Sequence, residues 1–154
     1  MSDQEVIVVV NYLLDTNIIS AMMKRNEQVL KKLDLVEFAE EQIFISTITY
    51  YETKRGLLAT QATQKMKEFN KLRQKYEMLG TDDEIVLDKA SEIYAHLKQR
   101  GEILPDADIL IAAVALTQDL TLVTADNHFD RIEELRVENW LKGDVITSLP
   151  RSAW

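Results

Sequence analysis

Apolar and polar positions along this chain fall into two alternating kinds of block. Short apolar or β-branched runs at 6–14, 43–45, 76–79, 120–124 and 135–140 have the length and content of strands. Between them, apolar residues recur three and four apart, the spacing of one helix face. That pattern predicts helices over 18–24, 27–41, 46–58, 61–76, 82–100 and 106–118, with a further helix start at Asp126. The 61–76 segment is representative: Ala62, Met66, Phe69, Leu72 and Tyr76 share one face and lysines occupy the others. Thr49-x-x-Glu52 and Thr81-x-x-Glu84 have capping-box spacing. Arg100-Gly101 has the chemistry of a helix stop.

Strands that alternate with helices predict a parallel sheet covered on both sides, a three-layer α/β/α architecture. No repeat or linker interrupts the pattern. One domain over 1–154 is expected, with 1–8 as an N-terminal extension and 143–154 as a tail.

Composition narrows the chemistry. The absence of cysteine excludes disulfides, zinc–thiolate sites and a cysteine nucleophile, and suits a reducing cytoplasm. No apolar run reaches membrane-spanning length, and the acidic start Met1-Ser2-Asp3-Gln4-Glu5 argues against a signal peptide. The net charge of −8 opposes a nucleic-acid partner until its distribution is considered. Residues 53–76 hold seven basic residues and one acid inside an otherwise acidic chain. Such a stretch is either a solvated helix face or a surface that tracks phosphates.

The acids have informative places. Asp15 directly follows the first strand, Asp126 follows the strand at 120–124, and Glu52 lies one to two helical turns beyond the strand at 43–45. Asp106 and Asp108 open an apolar helix. Parallel sheets bind ligands at the carboxyl ends of their strands, so Asp15, Glu52, Asp108 and Asp126 can converge there, with Asp106 nearby. Carboxylates gathered in one cleft repel one another, and a hard divalent cation such as Mg²⁺ or Mn²⁺ resolves that repulsion. Asn17, Ser46 and Thr124 are polar companions at the same strand ends, suited to orienting the acids or bound water. Helix capping also accounts for Asp15, Asp106 and Asp126 one at a time, and for Ser46, so both readings stand at this point.

The residues in order resemble a known family. Leu13-Leu14-Asp15-Thr16-Asn17-Ile18-Ile19-Ser20 is similar to the opening motif of PIN domains. Ile45-Ser46-Thr47-Ile48-Thr49-Tyr50-Tyr51-Glu52, followed by Gly56, is similar to the second motif. Asp106-Ala107-Asp108-Ile109-Leu110-Ile111-Ala112-Ala113 and Leu122-Val123-Thr124-Ala125-Asp126-Asn127-His128-Phe129 are similar to the third and fourth. The resemblance implies a central, mostly parallel five-stranded sheet. It also implies an endoribonuclease dependent on Mg²⁺ or Mn²⁺, with Asp15, Glu52, Asp108 and Asp126 as its acids and Asp106 as an additional one. Asn17 and Thr124 match supporting positions. The likeness extends to VapC-type toxins, which implies an RNA substrate, a cognate antitoxin partner and a homodimer. Two rival classes remain at this stage: a metal-dependent phosphatase-like hydrolase and a non-catalytic interaction module. The first is weakened because Asp15-Thr16-Asn17 lacks the second aspartate of the haloacid-dehalogenase motif.

Overall fold

A computed structural model describes residues 9–142. The extension at 1–8 and the tail at 143–154 lie outside the described residues. The strands are β1 (Tyr12–Leu14), β2 (Ile43–Ser46), β3 (Glu77–Leu79), β4 (Thr121–Val123) and β5 (Val137–Glu138). The helices are α1 (Thr16–Met23), α2 (Glu27–Phe38), α3 (Thr47–Ala59), α4 (Thr63–Lys75), α5 (Glu84–Gln99) and α6 (Asp106–Thr117). A 3₁₀ helix, Asn127–Arg131, follows β4.

The sheet order is β3-β2-β1-β4-β5, and every pairing is parallel. Alternation of side chains sorts the two faces. Tyr12 and Leu14 pack with Ile43, Ile45 and Val123 beneath α1 to α4. Leu13 and Leu122 point the other way, into a core built from α5, α6 and the 3₁₀ helix. A strand covered on both sides must be apolar throughout, and all three residues of β1 are buried. No helix among the described residues is long and apolar enough to cross a membrane.

β1 is shorter than the apolar run at 6–14 suggests. Of that run, residues 9–11 are described and are not strand. Asn11 ends the ladder by using its own groups: its side-chain oxygen accepts the Gln42 amide at 2.9 Å and its carbonyl accepts the Thr121 amide at 2.9 Å. Val9, just before, is largely exposed.

Both expected capping boxes resolve differently. Ser46, not Thr49, caps α3, accepting the Thr49 amide at 3.1 Å, so Thr49 lies inside the helix and Glu52 is free for other contacts. Asp83, not Thr81, caps α5 by accepting the Ile85 amide at 3.0 Å. In each case the residue nearest the turn in extended backbone takes the cap, because only there does a side-chain oxygen reach the free amides. The expected stop at Arg100-Gly101 is present, with Gly101 at φ +68°, where a side chain would be strained.

Candidate metal centre at the carboxyl edge of the sheet

The sheet runs outward from β1 to β2 and β3, then resumes on the other side of β1 with β4 and β5. The order in which strands are added therefore reverses at β1, leaving a crevice at the carboxyl ends of β1 and β4. Register fills it. Leu14 pairs with Ile45 and with Val123, so the next residues, Asp15, Ser46 and Thr124, stand in one row across three strands.

Asp15 is buried and held from two sides. One carboxylate oxygen accepts the Thr16 amide at 2.8 Å, capping α1, and the other accepts the Thr124 hydroxyl at 2.8 Å. The Thr124 oxygen also accepts the Asp126 amide at 3.0 Å. Asn17 completes the frame. Its amide nitrogen donates to the Thr124 hydroxyl at 3.3 Å and to Asp15 at 3.4 Å, and its oxygen accepts the Ala125 amide at 3.0 Å. The first turn of α1 and the end of β4 are thus tied together around one carboxylate.

Glu52 reaches the site from α3, where the Thr16 hydroxyl donates to it at 3.0 Å. Asp126 caps the 3₁₀ helix by accepting the His128 amide at 2.9 Å, and the His128 ring nitrogen lies 3.1 Å from the same oxygen. Asp108 enters from the first turn of α6. Asp108, Asp126 and His128 offer ligand atoms all within 4.8 Å of one another.

The charges of Glu52 and Asp126 act on both Asp15 and Asp108. Burial pushes the Asp15 carboxyl above its ordinary range; hydrogen bonds from Thr124 and Thr16 oppose this, while the charges of Glu52 and Asp126 add to it. Burial also pushes Asp108 up to about 6, reinforced by Asp15, Asp126 and Glu52 and opposed by His128. Carboxylates whose charges crowd Asp15 and Asp108 in this way are suited to a hard divalent cation, whose charge would remove the repulsion. Asp108, Asp126 and His128 offer atoms close enough for such an ion, and Asp15 and Glu52 are further carboxylates whose charges reach Asp108.

Two expected site residues stand apart from this cluster. Asp106 is exposed, two positions from Asp108 and so on a different side of the helix, and it is not among the charges acting on Asp15 or Asp108. Ser46 stands in the row but spends its hydroxyl on α3, accepting the Thr49 amide and donating to the Thr49 hydroxyl at 3.3 Å. Thr16 and His128 are the contributors that the sequence reading passed over. Their signals were position alone: one follows Asp15, and the other is two residues beyond Asp126.

The basic stretch at 53–76 divides. Lys54 hydrogen-bonds the Tyr50 hydroxyl at 2.8 Å, and Lys75 pairs with Glu37 at 2.6 Å. Lys65, Lys67 and Lys71 are exposed on α4. Arg55 lies beside the acidic site, 3.8 Å from Glu52. Concavities of about 370 and 330 Å³ open elsewhere, one beside Glu37 and Tyr76 and the other between α5 and the 3₁₀ helix.

Comparison with known proteins agrees with this geometry. The PIN domain model matches residues 12–135. Ribonuclease VapC1 of Methanocaldococcus jannaschii is 36% identical over 105 residues, covering 68% of this chain and 73% of that protein. Ribonuclease VapC2 of Rickettsia felis is 33% identical over 139 residues, covering 85% and 98%. Among solved structures, VapBC2 from Rickettsia felis bound to a DNA fragment from their promoter superposes with a TM-score of 0.79 at 28% identity, over 85% of this chain and 99% of that one. With the family model spanning four of the five strands and all four acids, the chain belongs to the PIN-domain family.

Proposed function

We propose that this protein is a divalent-cation-dependent endoribonuclease, a VapC-type toxin held inactive by a cognate antitoxin. What carries the proposal is the gathering of Asp15, Glu52, Asp108 and Asp126 toward the switch point of the sheet, where the charges of Glu52 and Asp126 act on Asp15 and Asp108. Ribonuclease relatives and the VapBC2 neighbour support it. Mg²⁺ or Mn²⁺ is the proposed ion, RNA the substrate and the cytoplasm the compartment. A homodimer is proposed from the family resemblance.

The chemistry a cation supplies here is neutralisation of the phosphodiester charge and a lowered pKa for an attacking water. The chain's own residues supply orientation. Thr124 and the Thr16 amide fix both oxygens of Asp15, and Asn17 locks Thr124 in turn. Thr16 holds Glu52 toward the same crevice. Such supporting partners keep ligand oxygens in place without supplying ligands themselves.

Incubation with a panel of structured RNAs and with a chromogenic phosphomonoester, each with Mn²⁺ and with EDTA, tests the assignment. Cation-dependent cutting of RNA with the phosphomonoester intact is expected. Turnover of the phosphomonoester with all RNAs intact would overturn it in favour of a phosphatase.

A further inference from the structure

Adjacent tyrosines on α3 have opposite fates. Tyr50 is half-buried against Phe69, with ring centroids 5.8 Å apart. Tyr51 is 59% exposed, belongs to neither core, and its hydroxyl makes no hydrogen bond among the described residues. Its one ring partner among them is Arg55, whose guanidinium lies 5.1 Å from the ring centroid. One helical turn separates the two, so Arg55 lies over Tyr51 and also beside Glu52, at 3.8 Å. A planar cation beside Glu52 and an exposed aromatic ring beneath that cation thus share the helix that delivers Glu52.

Charge compensation alone does not explain this pair. At 3.8 Å the contact with Glu52 is longer than a hydrogen bond, and the Arg55 side chain is more than half exposed. A guanidinium so placed keeps donors available for a phosphate, and an exposed ring offers a face that any nucleobase can stack on.

We propose that Tyr51 and Arg55 form a nucleotide-binding lip on the ribonuclease site, Tyr51 stacking on an RNA base beside the scissile bond and Arg55 holding the adjoining phosphate. The lip rests on the ribonuclease reading, because it needs RNA in the crevice. Single-stranded or unpaired nucleotides are its substrate class, since a base within a helix has no free face to offer.

The test uses the full chain carrying Asp15→Asn, so that substrate survives, and two fluorescein-labelled probes: a twelve-residue oligouridylate and an abasic ribose-phosphate chain of equal length. Fluorescence anisotropy is read over a salt series. Tyr51→Ala is expected to weaken oligouridylate binding by about five- to a hundredfold with its salt dependence unchanged, and to leave the abasic chain unaffected. Tyr51→Phe should bind as the parent does. Arg55→Gln should make the slope of log affinity against log salt shallower by about 0.7, and Arg55→Lys should largely keep it. Parent-like affinity and slope in both Tyr51→Ala and Arg55→Gln would overturn the lip, as would equal binding of the two probes by the parent. A surface that instead docks an acidic polypeptide gives the first of these outcomes. Cleavage with the native Asp15 separates the two layers. Native-rate cutting by both variants removes the lip and leaves the ribonuclease, whereas no cutting by the native protein removes the ribonuclease reading itself.

Discussion

The Thr124 hydroxyl donates to Asp15 at 2.8 Å across 109 residues of chain, and its oxygen accepts the Asp126 amide at 3.0 Å. A buried hydroxyl at the end of β4 therefore sets the positions of two acids at once. Thr124→Val keeps the shape and removes both bonds, together with the one from the Asn17 amide. Catalytic efficiency on RNA is expected to fall about 10- to 100-fold, the range for losing a residue that orients a metal ligand. Folding stability should drop by about 1–3 kcal/mol, because the Asp126 amide and Asp15 lose a buried partner. Thr124→Ser should recover most of both. Unchanged kinetics in Thr124→Val, read beside a urea melt, would remove Thr124 from the site.

Asp108 makes the metal-free protein sensitive to pH. Its folded pKa of about 6 is above the ordinary 3.8. The folded state therefore keeps a proton that the unfolded state has released between about pH 4 and 6. Stability falls as pH rises through that window, and the full cost is present above it. Asp15, also raised, acts in the same direction. In EDTA, Asp108→Asn should melt close to the native protein at pH 4.5 and above it at pH 7.5. A melting difference that does not grow with pH would contradict the crowding of carboxylates described here.

Cation affinity should carry the opposite dependence. Binding requires ionised carboxylates, so it releases protons as Asp108 and Asp15 give theirs up. Calorimetric titration with Mn²⁺ is expected to show affinity roughly tenfold weaker at pH 5 than at pH 7, with proton uptake by the buffer. Affinity independent of pH would place the ion away from these two acids.

Phe69 anchors the hairpin of α3 and α4. It is fully buried and packs on Tyr50, two residues before Glu52. Phe69→Ala should cost about 3–5 kcal/mol in denaturant unfolding. A loss below 1 kcal/mol would mean that the hairpin is held by other contacts.

Much of the fold and most of the acidic cluster were legible in the sequence for one physical reason. A strand buried on both faces is an uninterrupted apolar run, and an acid at its carboxyl end is conspicuous. Leu13-Leu14-Asp15 and Leu122-Val123-Thr124 show this directly. The details that escaped depend on three-dimensional reach. Whether Ser46 or Thr49 caps α3 turns on which residue is still extended, and the Asn11 side chain takes the Gln42 amide at the start of β1, a bond that an apolar pattern does not record. The Thr16–Glu52 bond links positions 36 apart and exists because α1 packs on α3. The contrast between Asp106 and Asp108 reflects their different angles on one helical turn. The basic count over 53–76 likewise hid a division of labour: Lys54 and Lys75 serve local contacts, while Arg55 borders the acids.

The most direct test of the four-acid centre is cleavage of total RNA in Mg²⁺ or Mn²⁺ by the native protein and by Asp15→Asn, each with an EDTA control. Asn matches Asp in shape, and its single side-chain oxygen can keep the Thr16 amide bond that caps α1 while the Thr124 bond to the other oxygen is lost, so the fold should persist while one ligand charge is removed. The account predicts cutting by the native protein, abolished by EDTA and reduced at least about a hundredfold by the substitution. Cutting that survives both would contradict it.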